Sequence, residues 1–416
     1  MVDFNLTPRQ KELQKIALEF ALKKIAPSCE KNDLIADPAT AFDWSLVRES
    51  SKLGLRTLSV PKEYGGENAD VLTLAVVGEA LAQGDLGFAV AIDQTVKIIR
   101  AIVELSDKQL LDRWMPKIVD DPDCLLGVGA TEPLAGSDNL LPYDAPGAGM
   151  QMLAEKKGDK WIINGSKRYI SNGGLAKYFY IMARTDKDGL LSKSCTGFFI
   201  PADTPGFTCT EVWDKMGQRC VQNGTLTLKN VEVPDLDRIG EVGSALPALG
   251  KFLLGFGSNI QAGATVLGVA QRAYDITLQY AMQRQQGGKR VLDHDLQRQR
   301  LAHMAMKLQA ARSYLWFAAW DCKQPTFDPK HASLSKIFAA QAANDVVLQA
   351  FELWAATGYM KKNPMEKLVR DALSFIHSDG TNDVLSLKAA RFIAAGEPDP
   401  NSISYSKRVE EAAKGR

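Results

Sequence analysis

Two stretches of this chain carry the residue types from which a chemical site is built. The first is Gly129-Ala130-Thr131-Glu132-Pro133-Leu134-Ala135-Gly136-Ser137-Asp138. Glu-Pro forces a turn out of the apolar run Cys124 to Val128, because the residue before a proline is pushed away from helical backbone. Ala-Gly-Ser-Asp then supplies a tight bend, two small residues and a hydroxyl. Such a loop turns backbone N–H groups outward, where a flat anionic cofactor can lie against them. The same letters also suit an ordinary helix-to-strand turn. The second stretch is Ala89-Val90-Ala91-Ile92-Asp93-Gln94-Thr95-Val96, in which one acid sits among apolar neighbours. Asp93 either caps or surfaces a helix, or it faces inward and then needs a partner or a task, since burying an unpaired carboxylate is costly.

Composition narrows what such a site can serve. The 416 residues are 45% hydrophobic, enough for two or three domains with a sizeable core. With 50 basic and 49 acidic residues the net charge is +1, which leaves no electrostatic footprint for nucleic acid. Six cysteines are scattered without metal-like pairing, four histidines share no ligand-like spacing, and no metal is expected. This cysteine usage fits a reducing compartment. The polar, helix-like N-terminus argues against a signal peptide, and no apolar run reaches about 18 residues. The expectation is a soluble, cytoplasmic protein.

The elements that must position the two stretches follow from periodicity. Residues 5–30 read as an amphipathic helix opened by Thr7-Pro8 and ended by Pro27. Further helices are expected from Trp44 to Leu53, from Asp70 to Leu105 with a break at Gly84 to Gly87, and from Asp107 to Ile118. The period then changes to short β-branched and aromatic runs: Lys160 to Gly165, Tyr178 to Ala183, Thr196 to Ile200 and Thr225 to Leu228. The segment Asn139 to Met152 reads as a surface insertion. Helices return after Ala245, and the one containing Ala262 to Ile276 is apolar on much of its circumference, so it should be buried. Long helical patterns follow at Asp295–Cys322, His331–Thr357, Glu366–Ile376 and Asp383–Ala395. The expected order is helical domain (1–124), β domain (125–240), helical bundle (241–395) and a polar, weakly packed tail (396–416).

Thr131 to Asp138 resembles the TEPxAGSD signature of flavin-dependent acyl-CoA dehydrogenases, and the rest of the chain resembles that family over about 1–395. The loop Val60-Pro61-Lys62-Glu63-Tyr64-Gly65-Gly66 is similar to the family's PxxYGG. The resemblance implies an α+β fold with an N-terminal helical domain, a β-barrel-like middle domain and a C-terminal four-helix bundle. It further implies non-covalent FAD, an acyl-CoA substrate, electron-transfer flavoprotein as electron acceptor, and a homotetramer built from dimers.

Residue by residue, the flavin contacts implied are Ala130, Thr131, Gly136 and Ser137 of the loop, with Ser137 also touching substrate. Ser166 to Asn172 resembles GTKxWITN, with Tyr169 for tryptophan and Ser171 for threonine. Tyr169, Ile170 and Ser171 then face the flavin with a flat ring and a hydroxyl, although Tyr169 also reads as a strand core aromatic. Arg284-Gln285-Gln286-Gly287-Gly288 falls at the family's RxxFG, and His294-Asp295 at its HQ or FQ. Through these, Arg284, Gln286, His294 and Asp295 would meet the pyrophosphate and adenine end from a neighbouring subunit. Arginine suits a phosphate because its planar fork donates two bonds at once. Glu352 to Tyr359 resembles QxxGGxGY, with Glu352, Ala355 and Ala356 as its contacts; Thr381 and Asp383 complete the set.

At the active end, relatives place a glutamate after an RDA helix. Here Arg370-Asp371-Ala372 is followed by His377-Ser378-Asp379-Gly380-Thr381, so Asp379 stands at the base position. One methylene fewer withdraws its carboxylate by roughly 1.5 Å. Asn259 replaces the usual arginine, and Ser258 occupies the alternative base position; with Gly380 these are the expected substrate contacts. The shortened acid at Asp379 and the extra acid at Asp93 together resemble the alicyclic branch of the family. A carboxylate presented from another wall by Asp93 meets the substrate nearer its γ-carbon, whose proton is acidic only if the ring already holds a C1–C2 double bond. The expected reaction is therefore oxidation of cyclohex-1-ene-1-carboxyl-CoA to a diene, with Asp93 as principal base and Asp379 secondary, or as base for a saturated ring. A non-oxidative enzyme on the same fold, an oxygen-reducing oxidase and a nucleic-acid-binding relative are the rivals. The near-zero charge disfavours the last.

Overall fold

The computed structural model describes residues 4–141, 144, 148–248, 257–324 and 327–394. The N-terminal helices are α1 (Pro8–Phe20), α2 (Ala26–Asn32), α3 (Trp44–Lys52), α4 (Val71–Ala82), α5 (Leu86–Leu105) and α6 (Lys108–Asp120). Local signals explain their starts: Thr7 forms a reciprocal capping box with Gln10, and Asp43, Asp70, Asp85 and Asp107 each accept a backbone N–H of the first turn. Pro27 does not end the first helical run as expected. A π-helical turn, Ala21–Ile25, widens the backbone just ahead of it, and Pro27 sits in the first turn of α2, where no N–H is needed.

The middle of the chain forms one eight-stranded sheet. Its strands are β1 (Leu126–Gly129), β2 (Leu153–Lys157), β3 (Lys160–Ser171), β4 (Tyr178–Arg184), β5 (Cys195–Pro201), β6 (Phe207–Val212), β7 (Asn223–Pro234) and β8 (Arg238–Ile239), with a short helix α7 (Leu191–Ser194) before β5. The order is β6-β7-β3-β2-β4-β5-β8, and β1 pairs in parallel with β4. Strands β1, β2 and β6 escape the sequence pattern because they are short and lack clear alternation. The sheet has its own core, centred on Trp161, Phe179, Phe198 and Phe207.

The segment read as a surface insertion is anchored at both described ends. Asn139 accepts from Met150 N–H at 3.0 Å, Arg184 Nε donates to Met150 O at 2.7 Å, and Met150 and Met152 are buried. Residues 142–143 and 145–147 lie outside the described residues, as does the tail expected at 396–416.

The C-terminal helices are α8 (Ser258–Gln283), α9 (Asp295–Asp321), α10 (Lys330–Trp354), α11 (Ala356–Tyr359), α12 (Met365–Leu373) and α13 (Asn382–Ala394). As its sequence requires, α8 is buried along most of its first five turns. It packs on α4, α9 and α10, joining the N-terminal helices and the bundle into one hydrophobic core. Gly268 allows the closest approach: a Cβ there would lie 2.2 Å from Glu79 O on α4. The long helical pattern expected through Thr357 breaks at Ala355, which takes φ 50°.

Candidate active site

The Thr131–Asp138 loop is fixed from beneath by a buried ion pair. Glu132 accepts from Lys167 Nζ of β3 at 2.7 Å and from Met152 N–H at 3.0 Å. The Arg168 N–H donates to Thr131 O at 3.1 Å. These contacts lay the Ala130–Glu132 arm of the loop along Lys167 and Arg168 of β3, which lead directly into Tyr169, Ile170 and Ser171. Tyr169 is not a core aromatic: it adopts φ 62°, is 51% exposed, and meets Trp213 edge-on at 5.2 Å. Ile170 is buried beneath it, and Asn223 Nδ2 donates to Tyr169 O at 2.8 Å and approaches Ser171 Oγ at 3.4 Å. The Tyr169–Trp213 pair, half-exposed beside the Ser171 hydroxyl, is a flat face with a polar edge that fits a flavin ring.

A second group gathers around α5. Asn172 Nδ2 donates to Ala91 O and Leu126 O, both at 2.9 Å, and Leu126 N–H donates to Thr95 Oγ1 at 3.0 Å. This locks α5 against β1, one turn from Asp93. Asp93 is 7% exposed, so it faces the interior, and its partner is Lys97 at 2.6 Å. Lys97 is also 2.8 Å from Asp379. The two carboxylates thus meet at one ammonium, their nearest oxygens at most 5.4 Å apart. Asp93 and Asp379 reach this ammonium from two different elements, and the Asp93 helix itself brings Lys97 over the acid at i,i+4 spacing. Burial pushes the Asp93 carboxyl above the usual range, against the attraction of Lys97, and the Asp379 charge adds to the rise. The two carboxylates raise the Lys97 ammonium, outweighing its desolvation.

Around them α8 contributes amides where an arginine was absent. Gln261 Nε2 donates to Asp93 Oδ1 at 3.1 Å, and Asn259 Nδ2 donates to Asp379 O at 3.0 Å. Asn259 and Ser258 are buried. The Asp379-Gly380 turn has both residues in the left-handed region, at φ 54° and 91°. Aspartate tolerates that conformation better than most side chains, and glycine at no steric cost. Lys336 of α10 holds the turn with three bonds, to Phe375 O, Gly380 O and Asn382 Oδ1 at 2.9–3.0 Å. Thr381 N–H donates to Ser137 Oγ at 3.1 Å, which joins the Thr131–Asp138 loop to the Asp379 loop. Asp383 lies in the first turn of α13, exposed. Beside Asp93 and Gln261 lies an apolar cleft between α4 and α5, lined by Leu58, Leu74, Val77, Leu81 and Val96, with about 10 Å³ of free space.

The residues expected at the pyrophosphate end form a third group. Arg284, Gln286, His294 and Asp295 cluster on an exposed hairpin and the start of α9, where His294 Nε2 lies 2.9 Å from Gln286 O and Arg284 lies 3.3 Å from Gln286 Oε1. Glu352 pairs with Arg300 of α9 at 2.8 Å, and Ala355 and Ala356 are exposed at the helix break. Among the described residues no hydrogen bond or ion pair joins this group to the other two.

The sequence compares with known proteins along nearly its whole length. Models of the N-terminal, middle and C-terminal domains of acyl-CoA dehydrogenase match residues 7–121, 127–231 and 258–394. A probable acyl-CoA dehydrogenase of Bacillus subtilis is 31% identical over 399 residues, covering 94% of this chain and 99% of that protein. The chain belongs to the acyl-CoA dehydrogenase family. The butyryl-CoA dehydrogenase of Megasphaera elsdenii superposes with a TM-score of 0.86 at 30% identity, over 94% of this chain and all of the other. A chain from a structure of the electron-transferring flavoprotein of Acidaminococcus fermentans gives 0.86 at 29%, over 95% and 100%. This acyl-CoA dehydrogenase has the fold of its family and is an FAD-dependent oxidoreductase. Among its described residues no helix is long and apolar enough to cross a membrane. Lys97, Gln261 and Lys336 are the site residues that motif reading passed over; only Lys97 had a local signal, its spacing of four from Asp93.

Proposed function

We propose that this dehydrogenase oxidises a compact alicyclic acyl-CoA, cyclohex-1-ene-1-carboxyl-CoA going to cyclohexa-1,5-diene-1-carboxyl-CoA. The observation that carries this reading is the pair of carboxylates, Asp93 and Asp379, on one lysine. A saturated thioester needs a single base at its α-carbon. A second acceptor beside the first serves a substrate whose acidic proton has been moved along the ring by conjugation. The γ C–H bond breaks, its proton passes to Asp93, and its electron pair delocalises through the ring double bond toward the thioester carbonyl. Loss of a hydride from the ring carbon on the other side of the α-carbon then restores the carbonyl and leaves the diene. FAD supplies the acceptor for that hydride. The raised proton affinity of Asp93 suits a base, which works best when its pKa approaches the working pH.

A second reading keeps Asp379 as base at the α-carbon of cyclohexane-carboxyl-CoA or another short or branched acyl-CoA. The short-chain-specific acyl-CoA dehydrogenase of Megasphaera elsdenii, 31% identical, supports it. In either case electron-transfer flavoprotein is the acceptor we propose, which the Acidaminococcus match favours. The exposed third group is best used by a second subunit of a homotetramer, completing the FAD site in trans. Anaerobic flavin bleaching against straight, branched, saturated-ring and cyclohexene-carboxyl-CoA thioesters tests the proposal. Fastest bleaching by the cyclohexene ester, lost in Asp93→Asn with FAD retained, is expected. Wild-type rates in that variant together with loss in Asp379→Asn would establish the second reading. Bleaching by none of the thioesters would point to non-oxidative chemistry.

A further inference from the structure

Lys97 is a buried ammonium whose two anionic partners stand on different elements, Asp93 on its own helix and Asp379 on the loop before α13. Its side chain is 2% exposed, so no bulk water shares its charge. The charged groups around it are few. Asp93 and Asp379 face it directly, and Lys336 of α10 adds a more distant positive field. From α8 the facing groups are neutral amides, Asn259 and Gln261, and from α4 the lining is apolar. Burial disfavours the charged form of His377, and the positive charge of Lys336 adds to that.

We propose that Lys97 is a positioning residue that keeps two adjacent carboxylates ionised together, so that either can take the substrate proton while the other stays paired. Two carboxylates this close cannot both ionise in a dry site without a cation, because one is forced to hold a proton. With Lys97 charged, the three groups carry a net single negative charge. After one acid is protonated, the remaining carboxylate and the ammonium form a neutral ion pair. The proton therefore arrives at a site whose charge it cancels, and no unpaired ion is left in the interior. The bookkeeping closes: one C–H bond of substrate breaks, one carboxylic O–H forms, and Lys97 neither gains nor loses a proton. This rests on the reading above that Asp93 and Asp379 are the bases, but it does not depend on which thioester is oxidised.

The test compares the FAD-loaded wild type with Lys97→Met, Lys97→Arg and the double variant Lys97→Met with Asp379→Asn. The first readout needs no substrate: infrared difference spectra at pH 7 report protonated carboxylic acids. Lys97→Met should gain a protonated carboxyl band absent from wild type. The double variant should keep it, because the buried Asp93 carboxyl is then left with no cation to hold it ionised. The second readout is the pH dependence of flavin bleaching, with kcat and KM separated. In Lys97→Met its acid limb should move up by about 1–3 pH units, with kcat falling at pH 7 and recovering as the pH rises. Lys97→Arg should restore the wild-type profile. The double variant serves as the control if Lys97→Met folds poorly: the band and a raised acid limb are expected there too, and a double variant without the band would overturn the proposal. An unchanged spectrum and profile in Lys97→Met would also overturn it. If no thioester bleaches the flavin, the substrate reading fails while the infrared result still decides the role of Lys97.

Discussion

Ser137 and Thr381 stand 244 positions apart and meet in one hydrogen bond, Thr381 N–H to Ser137 Oγ at 3.1 Å. Thr381 in turn caps α13 by accepting from Val384 N–H at 3.3 Å. The hydroxyl of the flavin loop therefore holds the start of the helix that follows Asp379-Gly380, and the two halves of the site share a fixed register.

Ser137→Ala breaks that link without adding bulk. A lost hydrogen bond of this kind is worth about 0.5–1.5 kcal/mol. The expected result is a fall in kcat of roughly 2- to 12-fold for flavin bleaching, counted per bound flavin. Stopped-flow bleaching, normalised to the flavin per protein of the purified variant, checks it; an unaltered kcat would show that the link carries no catalytic information.

The pH dependence of activity should report Asp93. Burial is the largest effect and moves its carboxyl above the usual range. A base must be ionised to accept a proton, so activity is full above that raised value and is lost as pH falls through it. The same shift acts on stability with the opposite sense: protonated Asp93 is the form the fold prefers, so its contribution is full below the ordinary carboxylate range and fades as pH rises through the folded value. The pH profile of bleaching should thus show an acid limb above the ordinary carboxylate range. A limb at the ordinary range would remove Asp93 as the titrating base.

Lys336 gives a structural prediction. Its three acceptors, Phe375 O, Gly380 O and Asn382 Oδ1, match the three protons of an ammonium. Lys336→Met leaves those acceptors unmatched in the interior, at a cost of about 1–3 kcal/mol for each one that stays dry. The melting temperature should fall, and the Asp379 loop should lose its position, so kcat should fall as well. Burial also pulls the Lys336 ammonium down to about 8. Its charging cost is complete below that pH and is relieved as pH rises toward the ordinary lysine value. The gap in melting temperature between wild type and variant should widen between pH 8 and 10; a constant gap would contradict the assignment.

The fold and the flavin loop were legible because their signals are local. The Thr7-Pro8 helix start, the break at Gly84 to Gly87 and the Thr131–Asp138 motif each act within a few residues. Asp93 was legible as an anomaly, an acid in an apolar helix, but its partner was named only by the structure, although Lys97 lies one turn away. Gln261 and Lys336 carried no such sign: each reads as a polar residue on a long helix, and only tertiary packing aims it at an acid or a carbonyl. Pro27 misled because a π-helical turn, which no propensity announces, absorbs the proline. Strands β1 and β2 were hidden by their four and five residues, and the sheet supplies the pairing that so short a run cannot specify alone.

The last prediction concerns Arg284. Its guanidinium is exposed and its side chain contacts Gln286 within the same hairpin. Nothing in the core leans on it, so Arg284→Ala should leave the unfolding free energy of the flavin-free protein within about 0.5 kcal/mol of wild type. If the arginine of one subunit grips the FAD pyrophosphate of another, the same change should cost a charge-assisted, two-pronged contact worth about 1.5–3 kcal/mol. Flavin retention after gel filtration should then fall by roughly tenfold or more. Glu352→Ala, placed on the neighbouring exposed surface and freeing Arg300, separates the two roles of that surface: it should disturb assembly, read by light scattering, more than it disturbs flavin affinity in assembled protein. A strictly monomeric protein that keeps its flavin in both variants would show that the site is complete within one chain.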